Sequence, residues 1–140
     1  AFLIKRIYRI DQNAKRFQRA VTFKVYLTNP SMRGALFGYV DQDSEFMGAL
    51  TETAIYSQWF HADDVIANLH YSRWSDGEVD MVFLEEPKYE PAWIVEVKWS
   101  DRYIDQSSEL KSLFSFLDKS VKETKKINVT VTTKTKRESK

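Results

Sequence analysis

The chain has 140 residues, of which 43% are hydrophobic and 14% aromatic, and its formal net charge is +1. This length and apolar content suffice for one globular domain with a buried core. Without cysteine there is no disulfide framework, cysteine-bound zinc or thiol nucleophile, and neither a signal peptide nor a membrane-spanning run occurs, so we expect a cytoplasmic protein.

Charge is distributed unevenly along the chain. Residues 1–40 carry eight Lys or Arg and one acid, residues 41–101 carry fourteen acids and three bases, and residues 102–140 carry ten bases and five acids. Two basic flanks around an acidic centre are typical of a surface that holds a nucleic-acid backbone around a metal site.

The first predicted elements form a basic hairpin. Residues 2–10 and 21–27 are predicted strands, and a polar, basic turn over residues 11–19 joins them. A short helix is predicted from Pro30. These elements are compatible with the wing and last strands of a winged helix that has lost its leading helices, and we expect such a remnant to pack on the rest of the chain instead of folding alone.

An apolar helix is predicted over residues 46–60. Asp41, Asp43 and other polar residues before it suit a helix start. Within the helix Glu52 is the only charged residue, and at helical spacing its neighbours are apolar or small. A carboxylate in such surroundings needs a hydrogen-bond donor, a cation or a raised pKa. Contact with a nearby Arg or backbone amide would serve equally well.

Three strands, a helix and a last strand follow the apolar helix in the prediction. Asp76-Gly77 is a strong hairpin signal between the first two strands, and the Pro-rich, charged segment 85–91 is a surface loop. Helical spacing of leucines predicts the second helix. The predicted ranges are 65–74, 77–84 and 93–99 for the strands, 106–119 for the helix and 126–133 for the last strand.

Two of these strands carry acids within apolar sequence. A hairpin centred on Lys88 places Asp80 directly across from Glu96, because each lies eight positions from that centre. Cβ atoms of such a pair lie roughly 4.5–5.5 Å apart, and two like charges about 5 Å apart repel by roughly 3 kcal/mol at an effective dielectric near 20. Protonation of one acid, pairing with Lys98 or a divalent cation would each relieve this repulsion.

Strand alternation assigns these side chains to faces of the sheet. Asp80 is predicted to share a face with Val82 and Leu84, and Glu96 is predicted to share one with Lys98. Mg²⁺ prefers oxygen ligands, and a neighbouring Lys can stabilise developing negative charge or orient a water molecule. Asp followed by Glu-x-Lys on the next strand therefore indicates metal-assisted cleavage of phosphodiester bonds.

Other interpretations fit part of the pattern. A charge ladder on a partly exposed strand pair would produce the same residues without chemistry. Asp80 and Glu96 could also form a glycosidase-type pair, but Lys98 and the third acid, Glu52, favour phosphate chemistry.

The predicted order α-β-β-β-α-β and these motifs resemble the PD-(D/E)XK nuclease superfamily, which has a restriction-endonuclease-like fold. The resemblance implies an α/β domain with a mixed sheet flanked by helices. It also implies that Glu52, Asp80 and Glu96 ligate Mg²⁺ or Mn²⁺ with help from the Val97 carbonyl, and that Lys98 positions or activates the attacking water. Together, Asp80, Glu96 and Lys98 would form the catalytic set.

More narrowly, the chain resembles the domain of unknown function at the C-terminus of prokaryotic AAA-type ATPases. Segments 24–38, 48–54 and 74–80 carry this resemblance. It implies that residues 1–38 are a winged-helix remnant or linker, that residues 39–133 are the nuclease-like core and that residues 134–140 are a basic tail. A chain that begins with Ala1 is then expected to be a fragment, with the ATP site in the missing ATPase module.

Together these resemblances imply Mg²⁺-dependent cleavage of DNA, coupled to the ATPase module of the parent chain. The alternative is a catalytically idle nuclease fold that serves as a binding or regulatory module of the ATPase. The expected partners are DNA and the ATPase module, and no membrane partner is expected.

Overall fold

A computed structural model describes residues 3–19, 22–102 and 106–135. Its strands are β1 (Ile4–Ile10), β2 (Phe23–Leu27), β3 (Leu69–Trp74), β4 (Gly77–Glu85), β5 (Glu90–Val97) and β6 (Asn128–Thr132). The helices are α1 (Ser31–Phe37), α2 (Met47–Ser57), α3 (Asp63–Ile66) and α4 (Lys111–Ser120), and a 3₁₀ turn (Ser107–Leu110) leads into α4.

All six strands belong to one mixed sheet with the order β2-β1-β3-β4-β5-β6. Strands β1 and β3 are parallel, as are β5 and β6, and the other neighbours are antiparallel. A parallel pair needs a crossover connection, and α4 lies on the connection between β5 and β6. The predicted α/β class, with a mixed sheet flanked by helices, is confirmed.

Two apolar clusters pack on opposite sides of the sheet. The α2-side cluster joins Tyr56 of α2 to inward residues of the strands such as Met81 and Val95. The α4-side cluster joins Leu113 and Phe116 of α4 to strand residues on the opposite face of the sheet, such as Val82 and Ile94. Leu113 and Phe116 are three positions apart, which places them on one face of the helix. The central strands are therefore buried on both faces.

The structure shifts several predicted boundaries. The strand predicted over 65–74 begins only at Leu69, because Asp63–Ile66 form the short helix α3, and two acids in its first turn suit the helix dipole. The helix predicted over 106–119 is a 3₁₀ turn followed by α4. The apolar helix predicted over 46–60 is α2, which ends at Ser57.

The N-terminal hairpin extends the sheet. β1 pairs with β3 in parallel, and Ile7 and Tyr26 of the hairpin are buried in the α2-side cluster. The expectation that the hairpin packs on the rest of the chain is confirmed, while its winged-helix origin and the boundary at residue 38 stay predictions. Phe2 and Val21, which the predicted strands include, lie outside the described residues.

Only the start of the basic tail falls within the described residues. Lys134 lies over the ring of Trp99, and the backbone amide of Thr135 donates to Asp101 Oδ1 at 2.9 Å. Residues 136–140 lie outside the described part. No helix among the described residues combines the length and apolar composition of a membrane span.

Candidate active site

A β-bulge in β4 sets the orientation of Asp80. Between β3 and β4 the register runs from His70↔Val82 to Ser72↔Val79, so that two β4 residues oppose the single residue between His70 and Ser72. Such a bulge re-aims side chains. Val79 and Val82 consequently lie in the same α4-side cluster although they are three residues apart.

The predicted face of Asp80 is therefore wrong. Val82 and Leu84 are buried in the α4-side cluster, whereas the carboxylate of Asp80 lies beside that of Glu52 from α2. The prediction assumed regular alternation along the whole strand, and the bulge breaks that alternation at Asp80.

The register between β4 and β5 agrees with the predicted position of Asp80 across from Glu96. The paired residues reach Met81↔Val95, one step before Asp80 and Glu96. The amide of Val97 donates to Asp80 Oδ2 at 2.8 Å, and the amide of Asp80 donates to Glu96 Oε2 at 3.4 Å. These two hydrogen bonds join the carboxylates to each other's strands.

Three carboxylates converge at the start of β4. Oxygen atoms of Glu52, Glu78 and Asp80 all lie within 4.8 Å of one another. Glu78 and Asp80 flank Val79 on the same strand, and α2 brings Glu52 to them. Glu52 and Asp80 belong to the predicted ligand set, whereas Glu78 was not predicted.

Lys24 of β2 holds two of these acids. Its Nζ lies 2.8 Å from Glu52 Oε1 and also donates to Glu78 Oε1. The hydroxyl of Tyr26, two residues further on, donates to Glu52 as well. Burial lowers the pKa of Lys24, but the two carboxylates outweigh it and the pKa is raised. The ammonium group is therefore a fixed positive charge within the acidic group.

Glu96 forms its own pair with Lys98. Glu96 is 5% exposed at its side chain, and its Oε1 lies 2.7 Å from Lys98 Nζ. Side chains two residues apart on a strand share a face, which makes this contact local. Pairing with Lys98 was one of the three predicted ways to relieve the repulsion at Asp80. Glu96 borders the group of three acids without belonging to it.

Burial and like charge shift the acidity of the site. Burial raises the pKa of Asp80 to about 7, with the charges of Glu96 and Glu52 adding to the effect, and the Val97 amide and Lys24 oppose it. Burial also raises the pKa of Glu96, against the opposing effect of Lys98. Asp80 therefore takes up a proton at a pH where an ordinary aspartate is ionised. A bound cation could replace that proton.

A buried tyrosine supports the bulge from the side of α2. The hydroxyl of Tyr56 donates to the backbone carbonyl of Asp80 at 2.5 Å, and its ring stacks on Tyr26 with the centroids 4.3 Å apart. Burial, with the nearby charge of Glu52, raises the pKa of Tyr56, which keeps the hydroxyl protonated as a donor. Tyr56 thereby links the helix that carries Glu52 to the strand that carries Asp80.

Open clefts lie on two sides of the first turns of α2. One, of about 510 Å³, is lined by Val97, by the cations Lys98, Arg102 and Lys134 and by one acid, Asp43. The other, of about 310 Å³, is lined by Lys24, Tyr26 and Glu52 together with Arg33. Both lysines of the site are thus accessible from solvent, and the cations in the lining of the first cleft outnumber its acid, as a phosphate would need.

The structure brings the predicted residues together with three additional ones. Glu52, Asp80, Glu96 and Lys98 lie in one continuous region, and Val97 contributes its amide to Asp80. The role of the Val97 carbonyl as a ligand stays a prediction. Glu78 could have been found from sequence, because alternation places it beside Asp80. Lys24 and Tyr26 carried no such signal, since they reach the site through strand pairings distant in sequence.

Comparisons with family models, with curated proteins and with solved structures give no match to this chain. The resemblance to the nuclease superfamily therefore depends on the motifs and on the order of the elements.

Proposed function

We propose that this domain is a divalent-metal-dependent nuclease that cleaves DNA. The observation that carries the proposal is the position of Asp80, whose carboxylate lies beside Glu52 and is hydrogen-bonded to the strand of the Glu96–Lys98 pair. Apart from the short helix α3 between α2 and β3, the order α2-β3-β4-β5-α4-β6 supports it, because it is the order predicted from the sequence. Carboxylates from a helix and two neighbouring strands, with one lysine, suit phosphoryl chemistry.

The donor set fits Mg²⁺ or Mn²⁺. These ions take oxygen ligands, often one or two carboxylates with substrate phosphate, and Glu52, Glu78 and Asp80 offer carboxylate oxygens within 4.8 Å of one another. We assign Asp80 as the central ligand, with Glu52 and Glu96 on either side. When bound, the ion would stabilise negative charge on the phosphate and lower the pKa of water.

The residues of the chain would then have separate tasks. Lys98, which lines the larger cleft, would donate to a phosphate oxygen or hold the attacking water. The Val97 amide fixes Asp80, and Tyr56 fixes the backbone of Asp80 from the other side. Lys24 would hold the carboxylates of Glu52 and Glu78 in place before a cation binds.

The test is an assay with labelled single-stranded, duplex and branched DNA in Mg²⁺ or Mn²⁺. We expect metal-dependent cleavage by the unchanged protein, loss to background in Asp80→Asn, and a decrease of about 100-fold or more in Lys98→Met. The exposed Asp118 supplies the matched control, and Asp118→Asn should cleave as well as the unchanged protein. Activity that survives in both site variants, or none on any substrate, would refute the proposal.

A second candidate function is supported by a different observation. Lys24 pairs with Glu52 and Glu78, Arg73 also pairs with Glu78, and Lys98 pairs with Glu96, so three of the four acids have a cation partner without an added ion. A nuclease fold in this state would act as a binding or regulatory module of an ATPase. The DNA assay separates the two functions, because this module would bind partners and cleave none of the substrates.

A further inference from the structure

The first part of the N-terminal hairpin, residues 3–19, carries positive charge that no carboxylate among the described residues pairs with. Residues 3–19 contain six Lys or Arg and one acid, Asp11. The Asp11 carboxylate accepts hydrogen bonds from the amides of Asn13 and Lys15 and so is used within the turn. Among the described residues, none of these six cations forms an ion pair with a carboxylate. This contrasts with the lysines of the acidic site.

Aromatic rings accompany these cations at the surface. The guanidinium of Arg9 lies 4.7 Å from the ring centroid of Phe17, and that of Arg6 lies 5.6 Å from the centroid of Phe23. Both rings remain more than 40% exposed, Phe17 at 43% and Phe23 at 42%. Exposed aromatic rings beside arginines are favourable places for a flat, electron-rich group to stack.

A groove of about 470 Å³ runs beside these residues. It is lined by Tyr8, Arg9, Arg16, Phe17 and His70 together with neutral neighbours, and no described acid lines it. Burial, aided by the nearby charge of Arg16, lowers the pKa of His70 to about 4. The positive charge of the groove therefore comes from its arginines.

We infer that this hairpin groove binds single-stranded nucleic acid, with a base stacked on Phe17 and phosphates held by Arg9 and Arg16. Proteins that bind single strands combine a positively charged groove with aromatic stacking platforms. This inference rests on the proposed function, which gives nucleic acid as the class of ligand. It adds the surface that would hold a single strand of that nucleic acid. An acidic protein surface would form ion pairs with the arginines, but its carboxylates would not stack on the exposed rings.

The test is fluorescence anisotropy with a labelled oligothymidylate of about 15 nucleotides, a length near the upper site size for such surfaces. EDTA is present, so that binding is measured without metal or cleavage and a failure here is separate from a failure of the nuclease proposal. The variants are Arg16→Glu and Phe17→Leu. Their matched controls are Lys111→Glu on the exposed face of α4 and Phe37→Leu on the exposed face of α1.

We expect each groove variant to bind about tenfold more weakly, because stacking and phosphate contacts each contribute on this scale. Arg16→Glu should also reduce the dependence of the binding constant on salt, whereas both controls should bind as the unchanged protein does. Circular dichroism verifies the fold of each variant. The inference is overturned if Phe17→Leu binds normally, or if polyglutamate competes as well as the oligonucleotide, which would indicate an acidic protein partner.

Discussion

The two lysines of the acidic site neutralise carboxylates in different ways. Lys98 pairs with Glu96 two residues before it on β5, so the contact exists wherever that strand exists. Lys24 reaches Glu52 and Glu78 from β2, and two strands lie between β2 and the strand of Glu78. The contact of Lys98 is therefore local, whereas the contacts of Lys24 depend on the packing of the N-terminal hairpin against the rest of the sheet.

Asp80 lies between the two lysines and pairs directly with neither in the hydrogen bonds described. Its carboxylate accepts from a backbone amide, and its pKa is the one raised to about 7. Each end of the site therefore has a lysine, Lys24 or Lys98, whereas Asp80 at its centre relies on the uncharged amide of Val97. The centre is therefore where an added cation would gain most.

Removal of Lys24, which reaches the acids from β2, should have the largest effect on stability. We expect Lys24→Met to lower the free energy of unfolding by about 3 kcal/mol, because the partly buried Glu52 loses its cation and Glu78 keeps only the exposed Arg73. Chemical denaturation measures the loss. Mn²⁺ should restore more stability to this variant than to the unchanged protein, since the ion can take the place of the ammonium group.

The exposed Lys15 provides the control for this prediction. Lys15→Met should change stability by less than about 0.5 kcal/mol. Equal losses in Lys24→Met and Lys15→Met would show that Lys24 does not neutralise the acids.

Removal of Lys98 should lower the free energy of unfolding by less than removal of Lys24 does. We expect Lys98→Met to destabilise the fold by about 2 kcal/mol, because Glu96 remains buried and unpaired. The double variant Glu96→Gln/Lys98→Met should recover most of that loss, because no charge is then left alone. A double variant less stable than Lys98→Met would contradict the pairing, and a double-mutant cycle in urea measures it.

The centre of the site should respond to pH. Asp80 has its pKa raised from 3.8 to about 7, so the folded protein binds a proton that the unfolded chain releases, and stability falls as pH rises across that window. Asp80→Asn removes this loss. We expect it to stabilise the protein by about 1–3 kcal/mol near pH 8 and by little near pH 4. A gain that is equal at both pH values would exclude titration of Asp80 as its cause.

The smallest predicted effect concerns the link between α2 and the bulge. Tyr56→Phe removes the hydroxyl that donates to the carbonyl of Asp80, and we expect a loss of about 1 kcal/mol. Tyr39, which is 89% exposed, gives the control, and Tyr39→Phe should be neutral. Thermal unfolding compares the two, and a neutral Tyr56→Phe would show that this hydrogen bond does not hold the strand.

Local sequence patterns predicted much of this molecule. Apart from the short helix α3, the order of the elements from α2 to β6 and the register between β4 and β5 follow from alternation, helical spacing and turn residues. The contact between Glu96 and Lys98 is predictable for the same reason, because two residues on one strand determine it.

What the sequence did not predict depends on long-range pairing. The bulge at Asp80 comes from a mismatch between β3 and β4, and no residue type in β4 signals it. Lys24 enters the site only because β1 pairs in parallel with β3 and carries β2 with it. Hydrophobic periodicity describes one element at a time and holds no information about such contacts.

Titration of Mn²⁺ into the metal-free protein near pH 8, followed by electron paramagnetic resonance of the free ion, measures whether the acids around Asp80 form one cation site. We expect one saturable site per chain, its loss in Asp80→Asn and its retention in Asp118→Asn. Tighter binding in Lys24→Met would follow from removal of the ammonium group. An absence of saturable binding, or an unchanged site in Asp80→Asn, would show that Asp80 is not the centre of a cation site.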